Sequence, residues 1–334
     1  MSATNFSDNN LHYPVLLKEV LSIISPQKGG TFIDCTFGQG GYTKKILEFP
    51  NTKVIAFDRD QKSEAIAEKF KKKFHDRFEF YHKKFSEIDN VKIPEKIKGI
   101  IFDLGFSYDQ IKDPAKGLSF NFEGKLNMKM GFNKYSAEDA IKNLSINELH
   151  KIFKYFGEEK NSKLISRKIV TQRKHKEIFT QDLVRIISST KKKFTKKNKA
   201  TKVFQALRIL VNNEISELIL GLSKSCNLIS DNGVIVTVTF HSIEDRICKF
   251  FFHNLSTDKK GSRYLPINKI NDICFKKINI KPIKPSLKET EKNPPSRSAK
   301  LRAIKREGTN IIDTKFIFEK FKYLLDVEKI IKRL

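Results

Sequence analysis

Three carboxylates and a glycine turn are the residues best placed to do chemistry in this chain. Asp34 ends the apolar run Thr31-Phe-Ile-Asp34, and Cys-Thr-Phe-Gly38-Gln-Gly40-Gly41-Tyr42 follows at once. Asp58 ends a second apolar run, Lys53-Val-Ile-Ala-Phe57, and Asp103 ends a third, Gly99-Ile-Ile-Phe102. Glycines just past a strand let a ligand approach the backbone. A carboxylate at the end of the next strand can accept hydrogen bonds from ribose hydroxyls. The spacing departs from the dinucleotide pattern, however: Gly38 and Gly40 satisfy its first half, but Thr43 stands where the third glycine would fall. That disfavours a nucleotide-dependent dehydrogenase. An acid ahead of the turn, Asp34, suits a nucleoside that carries an ammonium and no pyrophosphate, a description that fits S-adenosylmethionine.

These residues need a scaffold that gathers several strand ends. Short runs rich in Val, Ile and Phe fall at residues 31–35, 53–57, 77–81 and 99–103, with a charged-faced helical pattern at 61–74. Such alternation predicts a mostly parallel sheet with helices on both sides, and ligands bind at the carboxyl ends of its strands. Residues 38–42, Asp58, Phe85 and Asp103 all fall at such ends. From about 109 to 216 there is no convincing strand and there are several helical patterns. Ser145-Ile-Asn-Glu148 is a capping box that opens one helix, and Gly157 is expected to close it. Thr180 is expected to cap a helix at 181–188. A stripe of Val203, Leu207, Leu210, Ile215, Leu218 and Leu222 marks a single helix over 201–222. The strongest strand run, 233–240, comes next. The chain thus reads as an α/β domain in two parts, 11–108 and 217–307, separated by an all-helical insertion at 109–216 and followed by a helical tail at 308–334. The Pro-, Ser- and Lys-containing stretch 281–305 is expected to be extended. The tail helix, with Phe318, Phe321, Leu325 and Ile331, is expected to dock on the protein's own surface.

A formal net charge of +27 over 334 residues points to a polyanionic partner. Residues 191–202 hold seven lysines in twelve positions, either a solvated loop or a patch for phosphates. The four cysteines, Cys35, Cys226, Cys248 and Cys274, form no C-x-x-C pair and suggest neither a zinc site nor a disulfide framework. No metal-ligand cluster is evident, so no metal is expected. No apolar run approaches the ~18 residues of a membrane span, and residues 1–10 lack the apolar core of a signal peptide. A cytoplasmic protein with no membrane partner is expected.

Several local sequences coincide in order and spacing. They are His12-Tyr-Pro-Val-Leu-Leu-Lys-Glu19, Asp34-Cys-Thr-Phe-Gly-Gln-Gly-Gly41, Asp58-Arg-Asp60 and Asp103-Leu-Gly-Phe-Ser107, then Gly117-Leu-Ser-Phe120, Phe204-Gln-Ala-Leu-Arg-Ile209 and Phe240-His-Ser-Ile-Glu-Asp-Arg246. Asn293-Pro-Pro-Ser-Arg-Ser-Ala-Lys-Leu-Arg302 completes the set. Over residues 11 to 307 this pattern closely resembles the bacterial 16S ribosomal RNA cytosine-N4 methyltransferases, the RsmH or MraW family. The resemblance implies a class I S-adenosylmethionine-dependent methyltransferase fold, Rossmann-like, with an inserted helical domain for RNA. It implies methylation of the exocyclic amine of one cytidine in the decoding centre of 16S rRNA, within the small ribosomal subunit. Carried over by position, the cofactor contacts fall on Gly40, Gly41, Tyr42, Asp58, Phe85, Asp103 and Gln110.

Tyr42 departs from the family's usual His, Tyr108 from a Ser, and Leu126-Asn-Met-Lys-Met130 from a Leu-Asp-Met-Arg-Met pattern. Arg to Lys loses a bidentate fork. The departures leave a catalytically silent RNA-binding relative as the competing reading. Cytosine's exocyclic nitrogen is a poor nucleophile, because its lone pair is delocalised into the ring. Acceptors for the amine protons would localise that pair, and Asp103 is the best-placed candidate, either for that role or as a cofactor contact alone. His241 would line the same cleft or satisfy the strand end. Glu244, Asp245 and Arg246 read as a helix start. Phe106, Tyr108 and Phe120 would receive an unstacked base or fill the core.

Overall fold

The computed structural model describes residues 14–93, 96–106, 110–111, 113–190, 198–256 and 274–334. The chain divides into two compact units. One comprises Met1–Gly105 with Gly221–Thr314, the other Phe106–Leu220 with Lys315–Leu334.

The first unit is built on seven strands: β1 (Gly30–Asp34), β2 (Thr52–Asp58), β3 (Phe78–His82), β4 (Ile97–Asp103), β5 (Ile229–Thr239), β6 (Phe275–Lys277) and β7 (Lys300–Arg306). Their order in the sheet is β3-β2-β1-β4-β5-β7-β6. The first five run parallel, and β7 is antiparallel to both β5 and β6. This is the α/β, Rossmann-like class expected. β1, β2 and β4 are rich in β-branched and aromatic residues and buried along nearly their whole length, as befits strands covered on both faces. The chain leaves β1 for β2 on one side and enters β4 on the other, so the switch point lies at the carboxyl end of β1. Register places Asp34 beside Ala56 and Ile101, Asp58 beside His82, and Asp103 beside Val238. The helix Leu17–Ile24 buries Leu17, Val20 and Ile24, one face at helical spacing. All four cysteines are free thiols, three of them buried.

The stretch 281–305 is not extended as expected. It folds into a bridge at Ile283, a helix over Leu287–Lys292 capped by Ser286, a 3-10 turn over Pro294–Ser298 and strand β7. Local composition suggested a loop, but pairing with β5 outweighs it: Leu301, Ala303 and Ile304 are core residues.

The second unit is helical, with helices at Ala137–Asn143, Ile146–Tyr155, Ser162–Gln172, Thr180–Ser188 and Thr201–Asn212, and the start of Glu214–Leu228. The Ser145 capping box forms, with Glu148 N–H on the Ser145 hydroxyl and Ser145 N–H on the Glu148 carboxylate. Three local expectations fail. The left-handed residue after the helix Ile146–Tyr155 is Glu158 rather than Gly157; glycine is needed at 157 because a side chain there would meet Lys202 O at 2.5 Å. Thr180 lies inside its helix rather than capping it. Its hydroxyl donates to Phe122 O, while the Asp182 carboxylate accepts the Phe179 N–H. The single helix over 201–222 is two, broken at Asn213, whose φ of 51° suits an Asn.

Residues 315–334 group with this unit, docked on the protein's own helices as expected. They form helices Lys315–Lys320 and Lys322–Glu328 and a 3-10 turn Lys329–Arg333. The break at Phe321 rotates the buried face, so Ile317, Leu324, Val327 and Ile330 are buried in place of Phe318 and Leu325. Glu328 is buried too, and its carboxylate accepts the Ile215 and Ser216 N–H groups at 2.9 and 3.0 Å. Among the described residues, no helix is long and apolar enough to cross a membrane. Residues 191–197 of the lysine run lie outside the described residues.

Candidate active site

The carboxyl ends of β1, β2 and β4 hold the three acids singled out from sequence. Asp34 is fully buried behind the glycine turn. Its Oδ2 accepts the Thr43 hydroxyl at 2.7 Å and its Oδ1 the Thr36 N–H at 3.1 Å. Thr43, the residue that breaks the dinucleotide pattern, is therefore the partner that holds Asp34. Burial pushes the Asp34 pKa to about 6, against the pull of those hydrogen bonds.

The turn itself depends on glycine. Gly40 has φ of +74°, and a side chain there would lie 2.6 Å from the Phe70 ring and 2.9 Å from that of Phe37. Gly41 begins the helix Gly41–Leu47 directly beneath Pro14. Asp58 fixes the turn from the neighbouring strand: Oδ2 accepts the Gly38 N–H at 2.6 Å and Oδ1 the Asp60 N–H at 2.8 Å. Burial raises the Asp58 pKa, and these hydrogen bonds oppose the rise.

Asp103 differs from both. Its backbone N–H donates to the Thr36 hydroxyl at 2.9 Å, while its buried Oδ1 has no hydrogen-bond partner among the described residues. Burial pushes its pKa up to about 8, and the charges of Asp34 and Glu244 push the same way. A carboxyl that titrates near neutrality, with an acceptor oxygen unpartnered among the described residues at a strand end, is poised to meet a cation or an N–H donor.

Glu244 is a site member that sequence reasoning set aside as a helix-start acid. It is buried, and Oε2 accepts the Phe240 and His241 N–H groups at 2.8 and 3.2 Å. Oε1 lies 3.0 Å from His241 Nε2, so the imidazole is engaged at the strand end. The signal was a carboxylate four residues past the strongest strand, and its facing Asp103 is a matter of tertiary structure. Asp245, next in sequence, is engaged elsewhere, with Lys300 and Arg302 of β7 at 2.7 Å each.

The structure brings Gly40, Gly41, Asp58 and Asp103 to one edge of the sheet. Tyr42 is buried beside them, but its hydroxyl donates to the Val15 carbonyl, and burial drives its pKa well up. Phe85 opens the 3-10 turn Phe85–Asn90 after β3, its ring edge-on to Phe102 at 5.4 Å between centroids. Gln110 belongs to the second unit. Of the aromatic candidates there, Phe106 lies under the Arg208 guanidinium at 4.6 Å and Phe120 packs edge-on to Phe204. Tyr108 lies outside the described residues.

The sequence profile described as the MraW methylase family matches residues 9–307. This chain belongs to the MraW methylase family. Ribosomal RNA small subunit methyltransferase H of Wolbachia sp. subsp. Drosophila simulans (strain wRi) is 41% identical over 304 residues, 88% of this chain and 99% of the relative. The protein of the same name from Ehrlichia canis (strain Jake) is 40% identical over 301 residues, covering 88% and 99%. That of Orientia tsutsugamushi (strain Ikeda) is 39% identical over 309 residues, covering 88% and 98%. Among MraW methylases the match takes in both units of this fold, and it ends before residues 308–334.

Proposed function

We propose that this protein transfers a methyl group from S-adenosylmethionine to the exocyclic N4 amine of a single cytidine in the decoding centre of 16S rRNA. The observation that carries the proposal is Asp103, a half-buried residue at a strand end whose Oδ1 is buried without a hydrogen-bond partner among the described residues. Family membership and relatives named as small-subunit rRNA methyltransferases support the reaction class.

The residues present fit such a methyl donor. Asp34, Asp58, Asp103 and Glu244 make this edge of the sheet acidic, which suits a ligand bearing ammonium and sulfonium charges. A side chain at Gly38 would meet only Thr36 O, at 3.9 Å, so the outer side of the turn is open. Asp58, which holds the Gly38 and Asp60 N–H groups and the Ser63 hydroxyl, retains one further acceptor site for a ribose hydroxyl. Phe85 offers a ring for the adenine side. Asp34 acts from behind, through Thr43, to hold the turn.

Bound S-adenosylmethionine supplies an electrophilic methyl group on a sulfonium. Displacement from it is in line, so positioning of the amine is most of the catalytic task. The Asp103 carboxylate would accept an amine N–H, localise the nitrogen lone pair for attack and hold the proton released as the new N–C bond forms and the methyl–sulfur bond breaks. No metal enters this scheme. The helical unit, with its bound C-terminal segment, would contact the RNA, and the strongly positive chain would favour phosphate. Small-subunit particles lacking the mark, incubated with purified protein and radiolabelled S-adenosylmethionine, should yield N4-methylcytidine at one site by nucleoside mass spectrometry. Tight donor binding without transfer would refute the reaction.

A further inference from the structure

Residues 113–136 of the helical unit carry the family-resembling piece 117–120 and the departing piece 126–130, which neither the cofactor turn nor Asp103 accounts for. Apart from the 3-10 turn Pro114–Lys116, this stretch has no helix or strand. It is nevertheless fixed. Asn212, fully buried, accepts the Met130 N–H at 2.9 Å and the Asn133 side-chain N–H at 2.6 Å, and donates to Met128 O at 2.8 Å and Arg208 O at 2.9 Å. The Thr180 hydroxyl donates to Phe122 O at 2.6 Å and accepts the Gly124 N–H at 3.0 Å, and Gln181 donates to Phe120 O at 2.8 Å. Gly117 has φ of +59° and touches the Lys125 carbonyl so closely that a side chain would stand 2.1 Å from it. Met128, also left-handed at φ 58°, and Leu126 are both fully buried.

A loop held at this many points has little freedom to bury its remaining apolar side chains, yet Phe122 and Phe132 are 45% and 53% exposed. Exposed lysines stand close by in sequence: Lys125, whose side chain is 65% exposed and only loosely paired with Glu138 and Glu177 at 4.0 and 3.9 Å, and Lys134. Exposed aromatic rings on a fixed loop, with lysines nearby in the chain that outnumber the one exposed acid among them, Glu123, are the kind of feature by which proteins hold unpaired nucleotides: rings stack on bases and cations meet phosphates. A protein partner would favour the apolar rings but not the lysines around them. We infer that this loop is a stacking platform for single-stranded nucleotides of the RNA substrate, an inference that rests on the proposed reaction.

Phe122 and Phe132 are each replaced by Ala, Leu and Trp. Affinity for a fluorescein-labelled single-stranded oligoribonucleotide, and KM for small-subunit particles, are then measured beside donor affinity by calorimetry. Ala and Leu should each weaken RNA binding and raise particle KM about tenfold, with donor affinity and melting temperature unchanged, while Trp retains both. Unchanged RNA affinity in the Ala variants overturns the inference. So does full rescue by Leu, which would make the surface an apolar contact for protein. Wild-type protein that binds the oligoribonucleotide with Phe-dependent affinity but methylates no particle would refute the proposed reaction and leave the platform standing. Wild-type methylation with unaltered KM in both Ala variants would refute the platform alone.

Discussion

If Asp103 meets the donor's positive charge as a carboxylate, affinity must depend on its ionisation. With a pKa of about 8 in the free protein, about a tenth of the molecules carry the charge at pH 7 and about nine-tenths at pH 9. Apparent affinity scales with the competent fraction, so this group alone should tighten donor binding about tenfold over that interval. The donor's own α-amino group titrates near the same range, but equally for any variant. The observable is therefore the ratio of wild-type to Asp103→Asn affinity, followed by isothermal titration calorimetry. It should grow about tenfold from pH 7 to 9, with proton release near pH 7 in buffers of different ionisation enthalpy. A ratio flat across pH, or no proton release from the wild type, would refute the reasoning. The same shift has a stability consequence. Its folded-state pKa is raised, so Asp103's contribution is fully present below the ordinary carboxylate range and is lost as pH rises through about 8. Asp103→Asn should accordingly melt a few degrees higher at pH 8 to 9 while losing methylation.

Asp58→Ala removes both the anchor of the Gly38 N–H and the ribose acceptor, and should weaken donor binding more than about a hundredfold by calorimetry. Wild-type affinity in that variant would count against the site. Tyr42→Phe should leave donor affinity within about threefold, because the hydroxyl is spent on Val15 O, and should lower stability by about 1 kcal/mol in urea denaturation. A large affinity loss would mark the Tyr42 hydroxyl as a direct contact. Glu328 has a pKa raised to about 7 by burial, so its stabilising contribution is present below the ordinary glutamate range and lost as pH rises through about 7. The melting temperature should fall between pH 5 and 8, and Glu328→Gln should flatten that fall. Glu328→Ala, which orphans the Ile215 and Ser216 N–H groups, should cost about 1–3 kcal/mol.

Much of the sheet was legible because buried parallel strands are written as unbroken apolar runs. The acids that end them mark strand ends by their polarity alone: Asp34, Asp58 and Asp103 all close strands. Helix ends were legible where the cap is local, as at Ser145, and failed where the hydroxyl had a distant partner, as at Thr180. The stretch 281–305 was misread because its strand is stabilised by β5, more than sixty residues away along the chain at Thr237↔Arg302. Phe85 and Gln110 came from family resemblance, since neither carries a local signal that points to a ligand.

The sequence by itself determined the strand-turn-strand chemistry of the first hundred residues and the family, because residue type and short-range spacing suffice for both. Only the tertiary structure decided which carboxylates are satisfied and which is open. Thr43 reaches back to Asp34, the Gly38 N–H meets Asp58, and Glu244 folds onto the end of β5. Asp103 alone of these acids keeps a buried oxygen without a partner among the described residues. Burial and the fields of neighbouring charges set a carboxyl's proton affinity, and both depend on residues brought together from distant parts of the chain.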